Sequence, residues 1–236
     1  MATSYFTLNY DTTGPASPSI SINSGATYST AVLTTATIST GDGTTTGYSM
    51  QIWGDIDLSW GITNGFFVGG ATAATQANAI WQTYATSKQI QLASGDGTKN
   101  VHIVIRDDVN NPSAQADTSI ILNTTLPTVT ISGPDVSKIS NQTGKNTATF
   151  SFQSDTIFTD YLVKVVSATS GDNTTGVTVG VVNGSTNTQG TNAGGFAANT
   201  PTTVTIKGAD LAVASSGDGA KIIKVFVKNQ AGLWSA

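Results

Sequence analysis

Residue types that carry chemistry are scarce in this sequence. Its 236 residues include one histidine, His102, no cysteine and no glutamate, so all fourteen acidic residues are aspartates. A carboxylate pair for glycosidic hydrolysis, or the start of a Ca²⁺ site, would have to be built on neighbours such as Asp55 with Asp57 or Asp107 with Asp108. Aspartates at such spacing are more commonly turn formers. No Gly-x-Ser-x-Gly nucleophile motif occurs, and no His/Cys cluster has metal-ligand spacing. His102 sits between Val101 and Ile103 in an alternating stretch, which places it on the solvent side of a strand. We therefore expect no catalytic residues, no metal and no cofactor, and a protein that acts through its surfaces.

The elements that would present such surfaces follow from composition. Charged residues are only 10% of the chain and hydrophobic residues 38%, while threonine alone is about a sixth. Exposed helices are built mainly from Glu, Lys and Arg, whereas β-branched residues favour strands. The expected fold class is all-β. A net charge of −4 with scattered Lys and Arg offers no footprint for a phosphate backbone, so no nucleic acid is expected. The longest apolar runs, Ile120–Leu122 and Ile222–Val227, are strand-sized and predict no membrane span. Without disulfides, the fold must rest on burial and hydrogen bonds.

Self-comparison reveals one repeat. Ser94-Gly95-Asp96-Gly97-Thr98-Lys99 followed by Val101 to Arg106 recurs 122 residues later as Ser216-Gly217-Asp218-Gly219-Ala220-Lys221 followed by Ile223 to Lys228. Tyr48 to Ile52 matches Tyr161 to Val165 at an offset of 113, and Leu8 to Pro15 resembles Leu122 to Pro127. Val101, Ile103 and Ile105 share one face of a strand, as do Ile223, Val225 and Val227. The Ser-Gly-Asp-Gly stretches read as turns before those strands. Leu33–Ile38, Tyr48–Trp53, Thr147–Phe152 and Tyr161–Val166 are further strands. The expected division is 1–122 and 123–236. Asp55–Ile80 and Ser170–Ala198 read as long loops, with a short helix near Ala73–Trp81.

Asp11-Thr12-Thr13-Gly14-Pro15, its variant Asn123-Thr124-Thr125-Leu126-Pro127, and Gly-Asp-Gly-Thr-Lys before a strand ending in Arg106-Asp107 resemble bacterial and phage immunoglobulin-like repeat domains. The resemblance implies two tandem immunoglobulin-like β-sandwiches with long Gly/Thr/Asn-rich loops. It further implies a structural virion protein of a tailed bacteriophage, an accessory component decorating capsid, tail or baseplate. Other virion proteins, and a host-surface glycan, are its expected partners. A virion location, assembled in the host cytoplasm, also accords with a start, Met1 to Phe6, that lacks a secretion signal's pattern. The alternative is a bacterial surface adhesin or carbohydrate-binding module.

One strand of the repeat has no match. Ile120 and Leu122 close the first half, nothing equivalent follows Gly232–Ala236, and Tyr5-Phe6-Thr7-Leu8-Asn9 stands unused at the other end, with Phe6 and Leu8 matching Ile120 and Leu122. This pattern suggests a homo-oligomer joined by exchange of the N-terminal strand, against the plainer reading in which Tyr5–Tyr10 is the first strand of the first half. The remaining interface candidates are Trp60, Phe66 and Phe67 in the aromatic loop and Val104 and Phe226, at matched positions on outward faces, although ordinary packing under a loop is the favoured reading of the last two.

Overall fold

In Leu33–Ser39 the side chains of Thr34, Ala36 and Ile38 are buried and the four between them exposed, the period-two pattern of a strand with one face on a core. A computed structural model of the chain describes residues 4–180 and 189–236 and divides into two units, Met1–Thr124 and Thr125–Ala236. No helix among the described residues is long and apolar enough to cross a membrane.

Unit 1 contains β1 (Ser19–Ile22), β2 (Tyr28–Ser29), β3 (Leu33–Ser39), β4 (Ser49–Gly54), α1 (Leu58–Thr63), β5 (Gln82–Thr83), β6 (Ser87–Gln91), β7 (Gly97–Arg106) and β8 (Ala116–Leu122). One sheet has the order β1-β3-β6 and the other β2-β8-β7-β4-β5. Among the described residues of unit 1, only β2 with β8 is parallel. First, second and fourth long strands on one side, with the last two long strands beside β4 on the other, is the order of an immunoglobulin-like sandwich. Ile20, Ile22, Ile38 and Ile90 from one sheet and Met50, Ile52, Ile103, Ile120 and Leu122 from the other fill a single core.

Unit 2 contains β9 (Val129–Ser132), β10 (Thr147–Ser154), β11 (Phe158–Val166), β12 (Val177–Thr178), β13 (Gln189–Phe196), β14 (Thr202–Lys207), α2 (Gly208–Ala214) and β15 (Ile222–Asn229). Its sheets are β14-β10-β9 and a four-stranded one in which β11 carries β15 on one edge and β12 and β13 on the other. Phe152, Phe158 and Tyr161 pack against one another and, with Val163, Val204 and Ile206, make the core. Each half is thus an all-β, immunoglobulin-like sandwich.

The 122-residue offset holds in three dimensions. Ile105 donates its N–H to Ser113 Oγ at 3.1 Å and Val227 its N–H to Ser235 Oγ at 3.1 Å, and Arg106 bridges to Pro112 as Lys228 does to Trp234. The other sequence alignments shift. Met50 faces Ile105 and Tyr161 faces Val227, so Met50 is the counterpart of Tyr161 and the Tyr48–Tyr161 match is two residues off. A slip of two keeps the same side chains inward, which is why the strands were still found. Likewise Pro18-Ser19-Ile20-Ser21-Ile22 leads into β1 as Pro127-Thr128-Val129-Thr130-Ile131 leads into β9, rather than Pro15.

The long segments are not slack loops. Trp60 N–H donates to Asp57 Oδ1 at 2.8 Å, capping α1, which the sequence reading missed although Asp57 is a favoured cap residue. The helix expected near Ala73–Trp81 is only a 3₁₀ turn, Gln76–Asn78. This segment folds back onto β4: Gln51 Nε2 donates to Ala79 O at 2.7 Å and Gly54 N to Ala74 O at 3.0 Å. In unit 2 the start of the second segment returns similarly, with Lys164 Nζ on Asn173 O at 2.8 Å and Lys224 Nζ on Gly171 O at 2.6 Å. That segment also holds β12 and β13, while residues 181–188 within it lie outside the described residues.

Candidate functional site

Three of the four carboxylates nominated for chemistry, Asp55, Asp57 and Asp107, accept hydrogen bonds from the backbone. Asp55 Oδ2 accepts from Asn100 N–H at 2.8 Å, Asp57 caps α1, and Asp107 Oδ1 accepts from the N–H groups of Val109 and Asn111 at 3.0 and 2.7 Å. No group of three or more His, Cys, Asp or Glu side chains able to hold a metal occurs among the described residues. His102 lies on the outer face of β7, its Nδ1 2.6 Å from Asp117 Oδ1 and its ring centre 5.7 Å from that of Trp53. Hydrogen bonds from His102 and Gln115 hold the Asp117 carboxyl below its usual range.

Asp160 is the carboxylate most tied to architecture. The Thr191 hydroxyl donates to it at 2.7 Å, joining β13 to β11, the Thr159 hydroxyl donates at 3.0 Å and Lys228 Nζ lies 3.6 Å away. The Thr191 hydrogen bond, chiefly, lowers its pKa, with burial opposing. A folded value below the unfolded one contributes stability that is complete above the unfolded pKa and fades as pH falls through the folded one. We expect the thermal midpoint of unit 2 to drop as the pH falls below about 4, and Asp160→Asn to flatten part of that drop. Equal slopes in the two proteins would contradict the assignment.

Four of the interface candidates turn out to be interior. Phe66 and Phe67 are 3% and 1% exposed, Val104 7% and Phe226 0%. Val104 and Phe226 do point away from the sandwich core, but the returning segments cover that face, and Lys224 lies over the Phe226 ring at 5.0 Å. Side chains so buried offer no contact surface in a folded unit. Trp60 is half-buried against Phe66, ring centres 5.3 Å apart. Phe6 and Leu8, by contrast, are 87% and 84% exposed. Neither belongs to a strand, so Tyr5–Tyr10 is not the first strand of unit 1.

The feature left is an edge. In unit 1, β7 is hydrogen-bonded to β4 on one side and to β8 on the other, from Gly97 to Ile103. In unit 2, β15 pairs with β11 alone, apart from the bridge to Trp234, so among the described residues no strand lies beside Ile222–Val227. The consequence shows in the core beneath. Ile20 and Ile22, packed in unit 1 with Ile120 and Leu122 of β8, are buried. Their counterparts are not: Val129 is half-buried and Ile131 is 45% exposed. Val101 is fully buried, whereas Ile223 is half-buried. Between β9 and β15 runs a groove of about 340 Å³ lined by Pro127, Val129, Ile131, Ile223 and Val225. Beyond Ile223 a second hollow of about 680 Å³ continues past Phe150, Ile206 and Leu211. Unpaired backbone N–H and C=O groups beside an apolar trough form a template for an added strand. The sequence signal for this was the unmatched Ile120–Leu122 strand; the groove itself was not legible.

No family model matches the chain, and no curated protein matches it. Among solved structures it is similar to the fibronectin(III)-like modules of Clostridium thermocellum CbhA, with 13% identity over 92% of this chain and 89% of that one and a TM-score of 0.40. It is also similar to the D00–D0 domain of intimin, with 13% identity over 93% of this chain and 96% of that one and a TM-score of 0.35. At these TM-scores the likeness is loose, and the sandwich assignment stands on strand order alone.

Proposed function

We propose that the chain is a non-catalytic adhesive or surface-binding module that engages protein partners by accepting an extended segment at the open edge of β15. The observation that carries this reading is the apolar groove between β9 and β15, where unit 1 has a strand and unit 2, among the described residues, has none. The chemistry follows from the geometry. Backbone hydrogen bonds along Ile223–Val225 supply affinity for any extended chain, and the trough at Ile131, Ile223 and Val225 selects apolar residues at alternate positions. A second setting for the same module is the surface of a virus particle. It is favoured by a cysteine-free, charge-poor chain rich in Thr that needs no oxidising compartment to fold.

The test uses a synthetic peptide with the sequence of residues 116–123, the chain's own β8 and one residue beyond. We expect it to bind the full chain one to one and to change the fluorescence of Trp234, while the same peptide carrying Ile120→Asp and Leu122→Asp does not bind. Absence of binding by the unmodified peptide up to about 1 mM, a free energy of about −4 kcal/mol, would sink the reading.

A further inference from the structure

We infer that the occupant of this edge is the N-terminal segment of a second copy of the chain: Ser4–Tyr10 adds antiparallel to β15 of a neighbour, in the place that β8 takes beside β7. The inference rests on the reading of the β15 edge as a strand acceptor and names its partner. Three observations support it.

The first is that the segment is built as a strand and left unused. Tyr5, Phe6, Leu8 and Tyr10 are 84–91% exposed, and Ser4–Tyr10 forms no part of any strand or helix. Four large apolar or aromatic side chains so close together on a solvated stretch mark a contact site. Phe6, Leu8 and Tyr10 alternate with Thr7 and Asn9, so an extended Ser4–Tyr10 turns one apolar and one polar face.

The second is register. Side-chain alternation allows Leu8 to stand against Ile120, with Tyr10 against Leu122. Matching Leu8 to Leu122 instead shifts the pairing by two and sets Phe6 against Ile120. Both registers put the same face inward. Ile120 and Leu122 are the β8 side chains buried in the core of unit 1, 2% and 0% exposed. The donor therefore carries side chains of the right kind at the right spacing for the trough at Ile131, Ile223 and Val225.

The third is where the segment leaves unit 1. Asn111 Nδ2 donates to Asp11 O at 3.2 Å, and a Cβ at Gly14 would run into the carbonyl of Pro112. The chain is thus pinned at the turn between β7 and β8. In its own chain the segment does not fill the groove, since Phe6, Leu8 and Tyr10 stay exposed. Donor and acceptor are different surfaces, so the contact is heterologous and repeats into a ring or an open chain.

Sedimentation of the full chain over a range of concentrations tests this, together with a donor variant, Phe6→Asp with Leu8→Asp, and an acceptor variant, Ile131→Asp. Both alter exposed side chains, and circular dichroism checks that each keeps its fold. We expect the full chain to self-associate and each variant alone to sediment as a single chain. Mixed one to one, the variants should give a dimer that grows no further, because one keeps only the groove and the other only the segment. A synthetic peptide of residues 4–11 should bind the donor variant and fail to bind the acceptor variant. A full chain that stays monomeric at about 100 µM, or a donor variant that associates as the full chain does, overturns the exchange. If the chain is monomeric yet still binds the peptide of residues 116–123, the strand-accepting edge survives and only its occupant is wrong. If neither peptide binds, both fall.

Discussion

Replacing Phe67 with alanine should destabilise unit 1 by about 3–5 kcal/mol, a core-sized loss for a residue in a segment that reads as a loop. Phe67 is 1% exposed, it bridges to Ala79, and its ring lies so close to Gly61 that a Cβ there would strike it. The ring therefore joins α1 to the return strand of the segment, and the segment in turn covers the outer face of β4 through Gln51 and Ala79. Removing it leaves a cavity that α1 cannot collapse into without losing the backbone bonds from Ile80 N to Phe66 O and from Val68 N to Asn78 O, at 2.8 and 2.9 Å. For a unit of this size the loss corresponds to a fall in Tm of more than about 10 °C, read by the fluorescence of Trp53, Trp60 and Trp81. A change below about 1 kcal/mol would mean that the segment is a detachable surface loop, as its composition suggests.

Asp107 should show a sharp contrast between two substitutions. Its side chain is buried and accepts three bonds, from Val109 N, Asn111 N and Asn111 Nδ2. Asp107→Ala leaves those donors without an acceptor and should cost about 2–4 kcal/mol. Asp107→Asn should cost only about 1 kcal/mol, because unit 2 builds the same turn on Asn229, whose Oδ1 accepts from Leu233 N at 2.9 Å. Chemical denaturation of the two variants measures the difference. If the amide proved as damaging as alanine, the negative charge itself would be needed, and a cation at Asp107 and Asp108 would have to be reconsidered.

Much of the scaffold was legible in the residues. β7 and β15 were recognisable because Val101, Ile103 and Ile105, and Ile223, Val225 and Val227, alternate with polar neighbours after a Gly-rich turn. The closing strand around Ile120 and Leu122 was recognisable for the same reason. Alignment by local likeness slipped at Tyr48 and at Pro15, since neighbouring Thr, Ser and Ile residues give several matches of the same parity, and only cross-strand pairing decides among them. Phe6 and Leu8 are solvent-exposed. Val104 and Phe226 are buried, as packing under a loop predicts, whereas the burial of Phe66 and Phe67 was hidden by their place in a loop-like segment.

By itself, then, the order of amino acids settled the all-β class, the repeat and the positions of the principal strands, because a strand's two faces are written in alternate residues of one short stretch. What the tertiary structure alone decided is which of those faces meets water. Val104 is covered by chain that follows β4 and Phe226 by chain that follows β11, while Ile131 is left open because, among the described residues, no second strand pairs with β15. Burial depends on segments distant in the chain arriving at the same place, and local periodicity carries no record of that arrival.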